Sequence, residues 1–243
     1  MTDTSANNKR IAKNTLLLYF RMLFMMAVSL YTSRVVLNAL GVEDFGIYNV
    51  VGGVVAMFSM LSGSLSAAIT RFITYELGKG NQENLKKIFS SSVTIQIGLA
   101  ILIIVVAEAI GVWFLNMKMN IPDVRITAAN WVFQFSILTF AVNLISVPYN
   151  ASIIAHERMS AFAYISILEA IGKLAIVFLI VISPMDKLIF YAILMCAVAL
   201  IVRLAYGVYC KRHFEECTYH FIFDRDLLKH MFGFAGWNFI GAT

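Results

Sequence analysis

The chain has 243 residues, 60% of them hydrophobic and only 14% charged, with a formal net charge of +5. Water-soluble domains average about 45–50% apolar and about 25% charged residues, so a soluble fold is excluded: it could not hide this much apolar surface. The basic excess would suggest nucleic acid in a soluble protein, but here Lys and Arg flank apolar runs, where they act as topology signals, and nucleic-acid binding is set aside.

Met1 to Asn8 is polar and has no apolar core followed by a small-residue cleavage site, so the first apolar run is expected to remain in the protein. That run extends from about Thr15 to Leu40, and a second from about Phe45 to Tyr75, with the tight turn Gly41-Val42-Glu43-Asp44 between them. The polar stretch from Gly78 to Phe89 interleaves Lys79, Lys86 and Lys87 with Leu85, Ile88 and Phe89, which suits a short amphipathic helix lying on the membrane surface. Further apolar runs follow from Ser91 to Met117, Ala128 to Ala155, Ala161 to Ile182 and Leu188 to Tyr209. At about 20 residues per crossing, each of the six runs can span a bilayer. After the polar segment Tyr219 to Lys229, Met231 to Thr243 turns apolar around Trp237 but is too short to cross, and reads as the truncated start of a seventh helix.

The expected fold is therefore all-α, a polytopic transmembrane bundle of six spans over residues 1–210, followed by a cytoplasmic linker (211–230) and the start of a second bundle (231–243). A basic lead precedes an aromatic-rich apolar run both at Arg10 to Lys13 and at Arg225 to Lys229, an echo that fits a parallel repeat of two bundles. Alternate connections carry Lys9, Arg10 and Lys13, then Lys79, Lys86 and Lys87, then Arg158, then Lys211, Arg212, Arg225 and Lys229. The opposite connections hold Lys118, Arg125 and Lys187. This asymmetry predicts a cytoplasmic N-terminus in a bacterial inner membrane.

Charges inside the spans are expensive in hydrocarbon and each needs a reason. Glu169 and Lys173 lie four residues apart near the centre of the fifth span, in the order that favours an i,i+4 contact. They read either as a neutralised packing pair or as part of a transport cavity. Arg21, Arg71 and Arg203 all fall in the cytoplasmic half. Their planar forks suit phosphate or pyrophosphate oxygens, with Lys173 as a further cation, while snorkelling to the interface is the other reading of Arg71 and Arg203. Arg34 and Glu108 are candidates for an outer-side ion pair or, with Glu169, for ion coupling. Pro148, between Asn143 and Asn150, is the candidate kink or hinge. Small residues at Gly52, Ala56, Ser59, Gly63, Ser66 and Thr70 recur along one face of the second span and read first as close packing, then as a polar groove. Phosphate-binding glycine loops, HExxH, CxxC and nucleophile elbows are missing from the sequence, and Cys196, Cys210 and Cys217 lack metal-ligand spacing, so no enzyme, metal or cofactor is implied.

The chain resembles the polysaccharide-exporter and O-antigen flippase branch of the multidrug/oligosaccharidyl-lipid/polysaccharide exporter superfamily. The likeness rests on Ile11-Ala12-Lys13-Asn14-Thr15, on Thr32-Ser33-Arg34-Val35-Val36-Leu37 followed by Leu40-Gly41 and Asp44-Phe45-Gly46-Ile47-Tyr48, and on Arg71-Phe72 ahead of Glu76-Leu77-Gly78. Phe232 to Trp237 looks like the opening of that family's second bundle. The resemblance implies two six-helix bundles facing a central cavity. Alternating access would carry a polyprenyl-pyrophosphate-linked oligosaccharide across the inner membrane for polysaccharide or lipopolysaccharide assembly. It also implies contact with membrane lipids, a glycan polymerase and other assembly proteins. A multidrug cation exporter of the same superfamily would favour acidic cavity residues, whereas the intramembrane bases Arg21, Arg34, Arg71, Lys173 and Arg203 outnumber the acids Glu108 and Glu169. A flippase for the peptidoglycan precursor lipid II, which carries the same pyrophosphate, stays open. A membrane-embedded glycan-processing enzyme would need a large outer loop.

Overall fold

The computed structural model describes residues 2–56, 59–119, 121–221 and 233, and the described residues are almost wholly helical. The elements are α1 (Thr2–Ala56), α2 (Ser59–Lys79), α3 (Gln82–Val106), a π-helical turn (Ala107–Gly111), α4 (Val112–Met117), a short 3-10 turn (Asp123–Arg125), α5 (Ile126–Ala155), α6 (Met159–Val181) and α7 (Lys187–His213). Among the described residues, five stretches are long and apolar enough to cross a membrane: Ile11–Val55, Gln82–Met117, Asp123–Ala155, Met159–Val181 and Lys187–His213.

The first of these stretches holds two passes. Gly41, at φ 83° and ψ 168°, sits in a region open essentially to glycine and reverses the chain inside α1. The Ala39 carbonyl meets Lys187 Nζ, and Asp44 meets Arg125, so this reversal shares one end of the bundle with the α5 and α7 N-termini. From there Ile47, Val51 and Val55 pack on Ala129, Val132, Phe133 and Ala192, and α2 continues the same way, placing Ile69 and Ile73 against Leu85, Ile88 and Ala151. Residues 42–56 and 59–79 thus return toward the opposite end, and the described residues make six passes. The expected four-residue turn is in fact a one-residue break with helix on both sides. The expected seventh-helix start falls outside the described residues apart from Gly233.

Two other expectations are corrected. The stretch Gly78 to Phe89 does not form a separate surface helix. Asn81 caps α3 by accepting from the Asn84 amide at 3.1 Å, and the helix runs unbroken through Ser90, Ser91 and Ser92 into the membrane segment. Leu85, Ile88 and Phe89 are buried within the bundle, so the apolar face of this segment is covered by α2 and α5 and never reaches lipid. The small-residue face of α2 is not its packing face either. The buried residues are Leu65, Ala68, Ile69 and Ile73, Gly63 is exposed, and nothing stands within 4 Å of where a Cβ on Gly52 or Gly63 would lie.

α5 is the hub, touching α1, α2, α3, α6 and α7. Its hydroxyls bond back onto its own carbonyls, Thr139 to Phe135 at 2.7 Å and Ser146 to Val142 at 2.8 Å, which satisfies them without water. α5 continues through the buried Pro148 with no non-helical residue. Inside α1, Gly41 carries non-helical dihedrals, while the candidate kink or hinge at Pro148 lies within continuous helix.

Candidate functional site

Arg21, on the first pass of α1, donates from Nε to Ser166 Oγ of α6 at 2.7 Å, and its guanidinium lies 4.1 Å from the centre of the Phe162 ring. Stacking on an aromatic face leaves the N–H edge of the fork free to bond in plane. Ser166 in turn donates to the Phe162 carbonyl one turn back at 2.9 Å. One turn further along α6, Lys173 Nζ donates to Glu169 Oε1 at 2.6 Å, with the two side chains about one third exposed. Arg21 with Ser166, and one turn further along α6 Glu169 with Lys173, therefore form a polar string between α1 and α6 in an apolar setting. Two cations, Arg21 and Lys173, stand in it against the single carboxylate of Glu169.

Lys173 also lines a cavity of about 470 Å³. Ser29, Thr32 and Ser33 of α1 form one wall, Asn49 and Tyr48 beyond the Gly41 break form another, and Tyr191 and Met195 of α7 close it. A second cavity of about 250 Å³ shares Tyr48 and Met195 with the first and is lined further by Gly52, Ser136, Thr139 and Asn143. The two read as one groove rich in hydroxyl and amide groups, with the Tyr48 and Tyr191 rings meeting edge-on at 4.7 Å. Of these residues the sequence singles out Gly52, whose second reading is a polar groove, and Asn143; it misses the others, although Ser29, Thr32 and Ser33 lie at the i, i+3, i+4 spacing that marks one helix face.

The other expected residues are placed elsewhere. Arg203 lies 3.8 Å from the centre of the Tyr149 ring and lines a different cavity, with Lys211, Thr218 and Tyr219, that contains neither Arg21 nor Arg71. Arg71 is exposed on α2. The three arginines are therefore not gathered into one cradle. Arg34 is exposed on α1, Glu108 is half-buried in the π-helical turn, and no ion pair joins them. Two polar contacts that the sequence did not reveal, one ionic and one a histidine–carboxyl hydrogen bond, lie toward the two ends of the bundle. Arg125 bridges Asp44 and Asp186 at 2.5 Å each, and at the other end His156 Nε2 meets the buried Glu216 Oε1 at 2.5 Å while its ring stacks on Phe214 at 4.0 Å.

The model of a family described as polysaccharide biosynthesis protein matches residues 11–243. The chain belongs to that family. Among solved structures, the fold is similar to the outward-facing conformation of a multidrug resistance MATE family transporter of the MOP superfamily. The TM-score is 0.67 at 16% identity, covering 90% of this chain and 50% of that one. At that identity the likeness shows the fold alone, and this chain spans half the length of that transporter. No curated protein matches the sequence. A member of the polysaccharide biosynthesis protein family built from six apolar passes is a multi-pass membrane protein.

Proposed function

We propose that this chain is one bundle of a two-bundle flippase, and that the whole protein moves a polyprenyl-pyrophosphate-linked oligosaccharide across the bacterial inner membrane for polysaccharide or lipopolysaccharide assembly. The observation that carries the reading is the polar string that opens into the hydroxyl-lined groove. Arg21 and Lys173 outnumber Glu169, which leaves one positive charge unmatched in a low-dielectric setting where an anion is strongly favoured. A pyrophosphate supplies that anion, and Arg presents the geometry to bind it. Beyond it, the Ser, Thr, Asn and Tyr groups of the groove match the hydroxyls of a glycan. The polyprenyl tail remains in lipid.

In this reading residues 1–210 form the first bundle, with the N-terminus cytoplasmic, and residues 231–243 begin the second. Arg71 and Arg203 lie outside the pyrophosphate cradle. Ion coupling falls to Glu108, because Glu169 already accepts from Lys173 at 2.6 Å. The family description and the six-pass fold support a transporter over an enzyme. The unmatched positive charge argues against an organic-cation substrate. A lipid II substrate would fill the cradle with the same pyrophosphate, and the sugars distinguish the two.

The test is mass spectrometry of lipid extracted from the full-length protein purified from its own membranes. A polyprenyl-pyrophosphate glycan is expected in the wild type and depleted in Arg21→Ala. A preparation that carries only organic cations, or none of this lipid in wild type, contradicts the assignment.

A further inference from the structure

Arg203, Gly207 and Lys211 follow one another at intervals of four along α7, which places them on one face near the end of the helix that carries Lys211, Arg212 and His213. That face opens onto a cavity of about 440 Å³, bounded on the other side by Cys217, Thr218 and Tyr219 of the segment after α7. The segment is held in place. The Tyr219 hydroxyl is 3.3 Å from Thr94 Oγ1, the His220 amide donates to Ser90 Oγ at 3.3 Å, and Cys217 is buried.

Three features make this a built site. The Arg203 guanidinium carbon lies 3.8 Å from the centre of the Tyr149 ring, a cation–π contact that leaves its N–H donors to other partners, and neither Arg203 nor Lys211 has a carboxylate partner among the described residues. The guanidinium lies close against α7 at Gly207, where a Cβ would stand 2.9 Å from the Arg203 terminal nitrogen and a larger side chain would push it aside. Finally, the cavity is bordered by Leu204 and Val208, which are 66% and 51% exposed and present apolar side chains beside the two cations. Paired basic donors next to exposed apolar side chains at a helix end match an amphiphile whose phosphate meets the protein while its chains run along the helix.

We propose that this cavity binds the phosphodiester headgroup of an anionic phospholipid from the leaflet at that end of the bundle, with Arg203 and Lys211 as phosphate donors and Gly207 as the residue that seats Arg203. The site is separate from the Arg21 string and does not depend on the transport reading.

The experiment is native mass spectrometry of the full-length protein titrated with phosphatidylglycerol, with phosphatidylcholine, and with inorganic phosphate. Phosphatidylglycerol is expected to be retained over phosphatidylcholine, and each of Arg203→Gln and Lys211→Gln to weaken it about fivefold. Gly207→Leu, which preserves every charge but displaces the guanidinium, is expected to weaken it similarly. Arg212→Gln, a neighbouring charge that does not line the cavity, is expected to leave it unchanged. Arg203→Lys, which keeps the charge and drops the planar fork, gives the same readout if Gly207→Leu does not insert. Three outcomes overturn the proposal: equal retention of phosphatidylcholine, displacement of phosphatidylglycerol by equimolar inorganic phosphate, or losses that follow net charge regardless of position, with Arg212→Gln as harmful as Arg203→Gln.

Discussion

Arg125 holds Asp44 and Asp186 together at the Gly41 end of the bundle, where the chain turns between passes, and Asp44 is only 5% exposed there. Removing the cation leaves two carboxylates facing each other in a desolvated position. Arg125→Gln is therefore expected to lower stability by about 2 kcal/mol, read as a drop in unfolding temperature in detergent. Burial pushes the Asp44 carboxyl above its ordinary value, Arg125 pulls it down by less, and Asp186 and Glu43 push it further up. Because the folded value is the higher one, the linked stability is fully present below the unfolded carboxylate value and is lost as pH rises through the folded value. Without Arg125 that window moves upward. Acidification from about pH 8 to about pH 4 should then stabilise Arg125→Gln more than wild type. A pH-independent difference between the two would refute this account of the cluster. This cluster was illegible in the sequence because its members sit in three separate connections, and Arg125 registered only as a topology charge. Glu169 and Lys173 were legible because four residues on one helix fix their meeting without any knowledge of tertiary structure.

At the level of elements, the chain breaks where glycine permits it. Gly41→Ala forces a Cβ into a conformation that strains it and is expected to cost about 1–3 kcal/mol. An unchanged unfolding temperature would mean that the reversal does not need this dihedral. The π-helical turn carries a second demand on glycine, because a Cβ on Gly111 would fall 2.2 Å from the Cζ of the buried Phe133. Gly111→Ala is expected to destabilise by about 1–3 kcal/mol, and Phe133→Leu in the same chain to recover part of it. Purely additive losses would show that the two sites do not touch. The spans themselves were readable from hydropathy, since a helix surrounded by lipid and other apolar helices has to be apolar all round. For the same reason their facing was not readable. With little contrast between buried and lipid-exposed positions, α2 buries Leu65, Ile69 and Ile73 where its small residues had suggested the contact, and the start of α3 resembles a surface helix although its apolar face meets α2 and α5.

Across the whole molecule, the basic residues sort by end. Lys79 and Arg158 share one end with His213, while Lys118 and Lys187 lie at the other, which supports the proposed orientation. Single cysteines at Lys79 and Lys187 are expected to label from opposite sides with a membrane-impermeant thiol reagent, Lys79→Cys from the cytoplasm. The native thiols give a quiet background: all three are buried, and the Cys217 thiol is held protonated, chiefly by its hydrogen bond with Cys210 and then by burial. Labelling of both positions from one side would invert or break the topology. The architecture was legible as a whole because membrane insertion rules act on local sequence. The groove was legible only at Gly52 and Asn143, because its walls come from α1, α5 and α7 and no spacing relates one helix's hydroxyls to another's. The central claim is that a pyrophosphate-linked glycan passes through this bundle by way of Arg21 and Lys173. The most direct test places the full-length protein in proteoliposomes loaded in one leaflet with a polyprenyl-pyrophosphate oligosaccharide and measures its appearance in the other. Wild type is expected to move it, and Arg21→Ala and Lys173→Gln to slow it about tenfold each, the scale of losing one charge-assisted hydrogen bond. Wild-type rates in both variants, or movement of organic cations with none of the glycan, would contradict the account.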